Sequence, residues 1–512
     1  MYSCVKSGSL FGLTSEIVTV EVDLSAGLPA LTVVGLPDIS VRESKERIRT
    51  AIINSGYKFP AKRITINLAP AGTKKEGTHF DLPISVGIMA AIGYIKKEKL
   101  QEYAFLGELS LDGSINRFNG ALPLIIGLRN QGIRKIILPF ANAEEASILD
   151  DVALYPVKHL SEIVHYFSDG IMLDQYVQRN EGINKPINYS NDFSDVAGQE
   201  TVKRALQIGA AAAHNVLMIG PPGAGKTMIA RRIPSILPHM SYDERLEVTK
   251  IYSVAGELNE ARPMITERPF RSPHHTITST ALVGGGLKPK PGEVSLAHHG
   301  VLFLDELPEF NRRVLEMLRQ PMEDECITIS RMNSTVTFPS KIMLVAAMNP
   351  CICGYYGDPT HECICSPFQI HNYLSKISGP LLDRIDMHIE IMPVIYKELV
   401  EISVKKAKGS KEMREEIEKA RDIQIDRYKS ETISHNSQLT TGLMKKYCTL
   451  DKETKCLLEE AYSRLALSAR AYNKIIKLSR TIADMEGTVG IELKHVAEAI
   501  QYRSLDKMYR GL

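Results

Sequence analysis

The chain has 512 residues, 44% apolar and 24% charged, which is too long for one core and sized for two to four domains. A formal charge of only +2 excludes a uniformly basic nucleic-acid binder, so any such site must be a local surface. The longest apolar run, residues 82–95, is too short to span a bilayer, and no charged-then-apolar leader opens the chain; both predict a cytoplasmic protein away from membranes.

Residues 1–170 alternate β-type runs (IVTVEVDL from Ile17, ALTVVGL from Ala30, RITINLAP from Arg63, KIILP from Lys135) with helical ones from Ser40 and Ala121, an α/β pattern. Residues 171–192 are polar with Asn, Gly and Pro and read as a linker. Strands and helices alternate again over 193–393. From 394 to 512 only helices follow, among them one with Ser468 as N-cap and Gly487 at its end. The charges of 409–430 fit a solvated helix face.

The strongest signal is Gly220-Pro221-Pro222-Gly223-Ala224-Gly225-Lys226-Thr227, which fits G-x-x-x-x-G-K-[ST] after an apolar strand, residues 216–219. The glycines let consecutive N–H groups face phosphates. Lys226 should pair with the β- and γ-phosphates of ATP, and Thr227 should reach Mg²⁺. A second apolar strand, residues 301–304, delivers Asp305 for Mg²⁺ and Glu306 to activate water. A third ends on Asn349, an amide that can position that water. Arg384, between Asp383 and Asp386, can reach a neighbouring subunit's γ-phosphate; the alternative is a local Asp–Arg surface pair.

These stretches, in this order, resemble the Walker A, Walker B, sensor 1 and arginine finger of an AAA+ ATPase. DFSDVAGQE, with Val196 and Gly198, resembles the segment lining the adenine pocket, and LSARAYNKIIKLSRTIADMEG resembles the sensor 2 region with Arg470 as sensor. Longer strings, RPFRSPHHTITSTALVGGGLKPKPGEVSLAHHGVLFLDELPEF and NPCICGYYGDP…CICSP, resemble the YifB/ComM group of magnesium-chelatase-like AAA+ proteins. The resemblance covers nearly the whole chain. It implies an N-terminal Lon-protease-like (ribosomal S5-like) α/β domain, a central P-loop NTPase domain with a cysteine insertion at 351–365, and a C-terminal helical lid. It further implies a homo-oligomeric ring, most simply a hexamer, and a role in DNA processing that includes branch migration.

Two segments are candidates for contact with DNA. Residues 268–300 carry Arg268, Arg271, His274, His275, Lys288 and Lys290 among glycines and prolines and, in AAA+ relatives, point towards the ring pore. Residues 326–338 alternate as a β-hairpin with Arg331 near its tip. Surface loops packing between subunits are the alternative for both. The N-terminal block lacks the Ser–Lys dyad of Lon proteases: Ile84 falls at the nucleophile position with Ser85 one place off, and Leu122 and Leu124 stand where lysines would be. An inert scaffold or a docking domain for a protein partner is expected.

Cys351, Cys353, Cys363 and Cys365 form two Cys-x-Cys pairs, with His361 in reserve. Four thiolates suit tetrahedral Zn²⁺; an iron–sulfur cluster lacks its usual spacing, and metal-free thiols are the alternative. Three functions stay open: a DNA motor, a protein-remodelling or chelatase-subunit-like ATPase, and an ATP-dependent protease. The first is favoured because no clear aromatic of the kind that grips a polypeptide sits in the basic pore candidate.

Overall fold

The computed structural model describes residues 1–177, 189, 191–259, 262–286, 289–331, 334–358, 361–393, 408–465 and 467–503, without the side chains of Arg331 and Ser334. Most of the expected linker and the start of the expected lid fall outside that set. The described residues divide into two compact units. One holds the chain to Lys185 together with Tyr242–Thr266; the other holds Pro186–Ser241 and everything from Glu267. Two boundaries therefore differ from the sequence reading. Tyr242–Thr266 leaves the 193–393 block, and the C-terminal helices do not separate from the ATPase core.

In the first unit a seven-stranded sheet has the order β3-β4-β2-β1-β5-β6-β7. The strands are β1 (Tyr2–Phe11), β2 (Thr14–Ser25), β3 (Ala30–Val34), β4 (Arg63–Ala69), β5 (Tyr103–Phe105), β6 (Lys135–Pro139) and β7 (Ala153–Val157). β1 and β2, and β2 and β4, pair antiparallel, and the rest parallel. β1 carries no apolar alternation because Ser3 and Ser7 occupy buried positions. Their hydroxyls donate to the carbonyls of Gly87 (2.6 Å) and Phe105 (3.0 Å), so the burial leaves no orphan donor.

Helix α1 (Ile39–Asn54) starts where the Asp38 carboxylate accepts the Val41 N–H. The long apolar run becomes α2 (Asp81–Ile92), buried from residue 81 to 91. Helix α3 (Ala121–Asn130) follows, and the helix Tyr242–Ala255 packs beside it. Tyr242 donates its hydroxyl to the Ile148 carbonyl (2.7 Å), and Gly120 donates its N–H to Ser253 (3.0 Å). These contacts explain why that segment joins the first unit.

The second unit has a five-stranded, all-parallel sheet of order β9-β10-β13-β8-β14. Its strands are β8 (Val216–Ile219), β9 (Phe270–Arg271), β10 (Val301–Leu304), β13 (Met343–Met348) and β14 (Met387–Glu390), with a separate hairpin of β11 (Cys326–Arg331) and β12 (Ser334–Pro339). β8, β10 and β13 are buried at every residue, as a parallel sheet covered on both faces requires. Helix α9 (Ser410–Arg427) buries Met413, Ile417 and Ala420; part of its charge is outward, as the sequence predicted, but Arg427 pairs with the buried Asp484 and Arg414 donates to the Ser235 carbonyl. Helix α11 (Ala469–Met485) is capped by the Ser468 hydroxyl, which accepts the Ala471 N–H (3.2 Å), and Gly487 follows it in left-handed geometry. Ile475 and Ile482 of α11 share one apolar cluster with the strands, which ties the helical segment to the sheet. Among the described residues no helix is long and apolar enough to cross a membrane.

Candidate active site

The phosphate loop leaves the C-terminal end of β8. A Cβ at Gly220 would overlap the Ile391 carbonyl, so only glycine lets the loop begin there. The Lys226 ammonium donates to the carbonyls of Gly220 (2.6 Å) and Pro221 (2.9 Å) and to Asn349 Oδ1 (3.0 Å). Burial lowers its pKa, against the opposing pull of Asp305 and Glu306. The Thr227 hydroxyl donates to Asp305 Oδ2 (2.6 Å). Thus Lys226, Thr227, Asp305 and Asn349, drawn from three adjacent strands, meet at one edge of the sheet. Pro222, Gly223, Ala224 and Gly225 complete the loop between them. Thr227 and Asp305 together present the oxygen pair that a hydrated Mg²⁺ takes beside phosphates. Val196 is buried in the same apolar cluster as Ala224 and Ile391, and Gly198 turns the chain with φ 54°.

Glu306 stands at the end of β10 in left-handed geometry (φ 52°) with its carboxylate exposed. Its neighbour was not foreseen: His275 Nδ1 lies 3.6 Å from Glu306 Oε2, with the His275 ring edge-on to Phe310. The expected loop thus brings His275 against Glu306. Arg268 and Arg271 are also engaged within the unit. Arg268 donates to the carbonyls of Pro238 and His299 (2.5 and 2.7 Å), and Arg271 makes a two-pronged pair with Glu293 (2.6 and 2.7 Å). Both brace the unit. Lys290 is exposed, on a two-stranded ribbon opposite Gly285. Lys288 lies outside the described residues. The hairpin pairs Cys326 with Pro339 through Arg331 with Ser334 and buries Ile327, Val336 and Phe338. Its form is the predicted one, and the side chain of Arg331 lies outside the described set.

The four cysteines come together. Sulfur separations are 3.3 Å (Cys351–Cys353), 3.7 Å (Cys351–Cys363) and 3.6 Å (Cys353–Cys363), and the four Sγ atoms, Cys365 included, lie within 4.8 Å of one another. Tetrahedral Zn–S bonds of about 2.3 Å put sulfurs about 3.8 Å apart, so the donor set fits that ion. Backbone N–H groups of Tyr355 and Ile364 point at Cys353 and favour its thiolate. His361 stands outside the group, its ring stacked on Tyr355.

Two contacts bind this knuckle to the nucleotide site. A Cβ at Gly354 (φ 89°) would come within 2.5 Å of Pro222 Cδ, so the knuckle lies directly on the phosphate loop. Tyr373, on the helix that follows (α7, Pro367–Leu374), has its hydroxyl near the backbone N–H of Asn349.

Arg384 and Arg470 lie elsewhere. Asp386 precedes β14, and its Oδ2 accepts the N–H of Asn215, which precedes β8. Arg384 thus sits at the N-terminal edge of the sheet. The phosphate loop is at the other edge, a four-residue strand away, about 13 Å. Arg384 is 7% exposed and pairs with Glu323 (2.7 Å), on helix α6 (Arg319–Asp324); Arg470 pairs with the same oxygen at 3.1 Å. The local Asp–Arg surface pair is not what forms. Asp386 instead binds Lys474 (2.7 Å), one turn along α11 from Arg470, and this bond fixes the two arginines relative to each other. Although burial opposes it, Lys474 and His214 hold the Asp386 carboxyl well below the usual carboxylate range. A cavity of about 670 Å³ opens at this edge, lined by Arg384, Arg470, Lys474 and Lys477 among others.

In the first unit Ser85 is buried with its hydroxyl bonded to the Asp81 carbonyl (2.8 Å), and Leu122 and Leu124 are buried in an apolar cluster. A nucleophile and its base have no counterpart at these positions.

A parallel sheet with a Walker-type loop, an Asp-Glu strand end, a polar third strand end and an attached helical segment defines a P-loop ATPase of the AAA+ type. ATP and Mg²⁺ are its substrate and ion. Residues 192–399 match the family described as magnesium chelatase, subunit ChlI; residues 20–142 match subunit ChlI of Mg-chelatase, and residues 407–503 the ChlI C-terminal region. Competence protein ComM of Haemophilus influenzae is 42% identical over 511 residues, covering 99% of this chain and 98% of that protein. The protein YifB of Escherichia coli is 40% identical over 506 residues, 99% and 98% of the two chains. Lon protease 2 of Bacillus subtilis is 31% identical over 142 residues, 26% of this chain and 25% of that one. The chain belongs to the YifB/ComM family of magnesium-chelatase-like AAA+ proteins.

Proposed function

We propose that this protein is an ATP-hydrolysing ring motor acting on single-stranded or branched DNA, a translocase or branch-migration helicase of recombination or transformation. The observation that carries the ring is the distance between its two half-sites. Lys226, Thr227, Asp305, Glu306 and Asn349 occupy one edge of the sheet, and Arg384 with Arg470 the other. A protomer cannot bring both to one nucleotide, whereas head-to-tail neighbours can, and a closing head-to-tail contact makes a ring. A homohexamer in the cytoplasm is the form we assign. Lys226 and the loop N–H groups hold the β- and γ-phosphates, Glu306 and Asn349 activate and orient water, and Val196 and Gly198 line the base. Thr227 and Asp305 hold Mg²⁺, which neutralises phosphate charge when bound. The neighbour's Arg384 and Arg470 stabilise the transition state.

DNA is the substrate class favoured by the hairpin β11–β12 and the exposed Lys290, with Lys288 and Arg331 as further contacts. The name of the Haemophilus relative, a competence protein, points the same way. The first unit serves as scaffold or docking domain for a protein partner, without proteolysis. A second reading, a protein-remodelling or chelatase-subunit-like ATPase, draws on the match to the chelatase family. Turnover with and without single-stranded DNA separates the two.

The cysteine knuckle is assigned Zn²⁺ as a structural clip rather than a DNA finger. Elemental analysis should find one zinc per chain, lost in Cys351→Ser/Cys363→Ser. Because Gly354 lies on Pro222 of the phosphate loop, that variant should raise the KM for ATP before it weakens DNA binding. Weakened DNA binding with unchanged ATP kinetics would make the knuckle a DNA contact.

A further inference from the structure

Glu323 has no role in the scheme so far, yet it organises both trans-acting arginines. Its Oε1 receives Arg384 Nη2 at 2.7 Å and Arg470 Nη2 at 3.1 Å. Arg384 is otherwise held only in part. Its Nη1 donates to the Pro380 carbonyl (2.7 Å), while its buried Nε has no partner among the described residues. The Glu323 and Arg470 side chains are 45% and 54% exposed, so the cluster is open to an incoming group on that face. One anionic oxygen collecting two guanidinium groups has the charge and acceptor geometry of one γ-phosphate oxygen.

We propose that Glu323 holds the place of the neighbouring subunit's γ-phosphate: without ATP it keeps Arg384 and Arg470 together and facing the cleft, and ATP on the neighbour displaces it. The inference rests on the reading that these arginines act in trans. A γ-phosphate carries more charge and more acceptors than a carboxylate, so it wins the arginines when it arrives. ADP lacks that group and leaves the pairing with Glu323 intact. The hydrogen bond from Arg384, then the charges of Arg384 and Arg470, hold the Glu323 carboxyl below the usual range, so it competes as an anion at neutral pH. The competition has an outlet in the fold. Helix α6 ends at Asp324 and β11 begins at Cys326, so the residue that releases the arginines is one short link from the hairpin assigned to DNA. Glu325 between them is gripped by the Gln438 amide (2.7 and 2.9 Å).

The test is the protomer concentration for half-assembly, read by sedimentation in a non-hydrolysable ATP analogue and, separately, in ADP. Glu323→Gln keeps the shape and one acceptor but removes the charge. It should assemble at about fivefold lower concentration in the ATP analogue, and at the wild-type concentration in ADP. An unchanged or higher midpoint in the ATP analogue would overturn the inference. So would an equal shift in ADP, because the effect would then not belong to the γ-phosphate. Glu323→Asp, which keeps the charge but cannot reach both arginines, should shift the same way by less and stands in if the glutamine variant is unstable. Failure of the underlying reading looks different: Arg384→Ala would hydrolyse ATP at the wild-type rate, whatever Glu323→Gln does.

Discussion

Replacing Arg384 with alanine should lower kcat for ATP by about 10³–10⁵-fold while leaving the affinity of the isolated protomer for ATP within about twofold. The reason is geometric. Arg384 is on the edge of the sheet opposite the phosphate loop of its own chain, so under the proposed ring it is placed for charge stabilisation next door rather than for binding in its own site. Stability should fall as well, because Arg384 is 7% exposed and donates to the Pro380 carbonyl, so turnover is read on protein checked to be folded. Lysine should not rescue the variant, since one point charge cannot reproduce a planar fork that passes from Glu323 to a phosphate. Stopped-time ATPase assays and nucleotide binding to the protomer separate the two effects. Loss of binding as great as loss of turnover would contradict the assignment.

The companion result concerns Lys226. Lys226→Ala should lose about 10²–10³-fold or more in turnover, and here binding should fall as well. The ammonium donates to the Gly220 and Pro221 carbonyls and to Asn349 Oδ1, so binding ATP exchanges carbonyl and amide acceptors for phosphate oxygens. The two variants also make a joint prediction. Each is inactive alone, yet a mixture should regain turnover, because a ring can set an intact Lys226 beside an intact Arg384 from the neighbour. Two defects within one self-contained site would give no recovery.

Much of this was legible in the sequence where local chemistry dictates structure. The phosphate loop needs its glycines, β8, β10 and β13 are continuous apolar runs, Ser468 is a cap, and Ile327, Val336 and Phe338 alternate. The misses arose where a side chain's partner is remote in the chain. Strand β1 was hidden by buried serines that only distant carbonyls satisfy. Arg268 and Arg271 read as free positive charge until Pro238, His299 and Glu293 were seen around them. His275 read as part of a DNA-contact loop and stands beside Glu306. Tyr242–Thr266 carries a helical pattern that says nothing about which unit it packs in. Glu323 gave no signal, since one acid among Glu316, Asp324 and Glu325 is ordinary on a surface helix.

The cysteine knuckle shows the same division. Its paired spacing was readable in the sequence, but that the four sulfurs would gather against Pro222 of the phosphate loop was not. That contact sets the cysteine segment beside the proposed nucleotide site.

The claim that organises the whole account is that this ring spends ATP on DNA. It is tested most directly by ATP turnover of the full chain with and without single-stranded or forked DNA, with Lys226→Ala as the blank. The account predicts that DNA raises the rate several-fold and that the Lys226 variant shows no rate to raise. Identical turnover and identical assembly in the presence and absence of DNA would contradict it and favour a polypeptide or another macromolecule as the substrate.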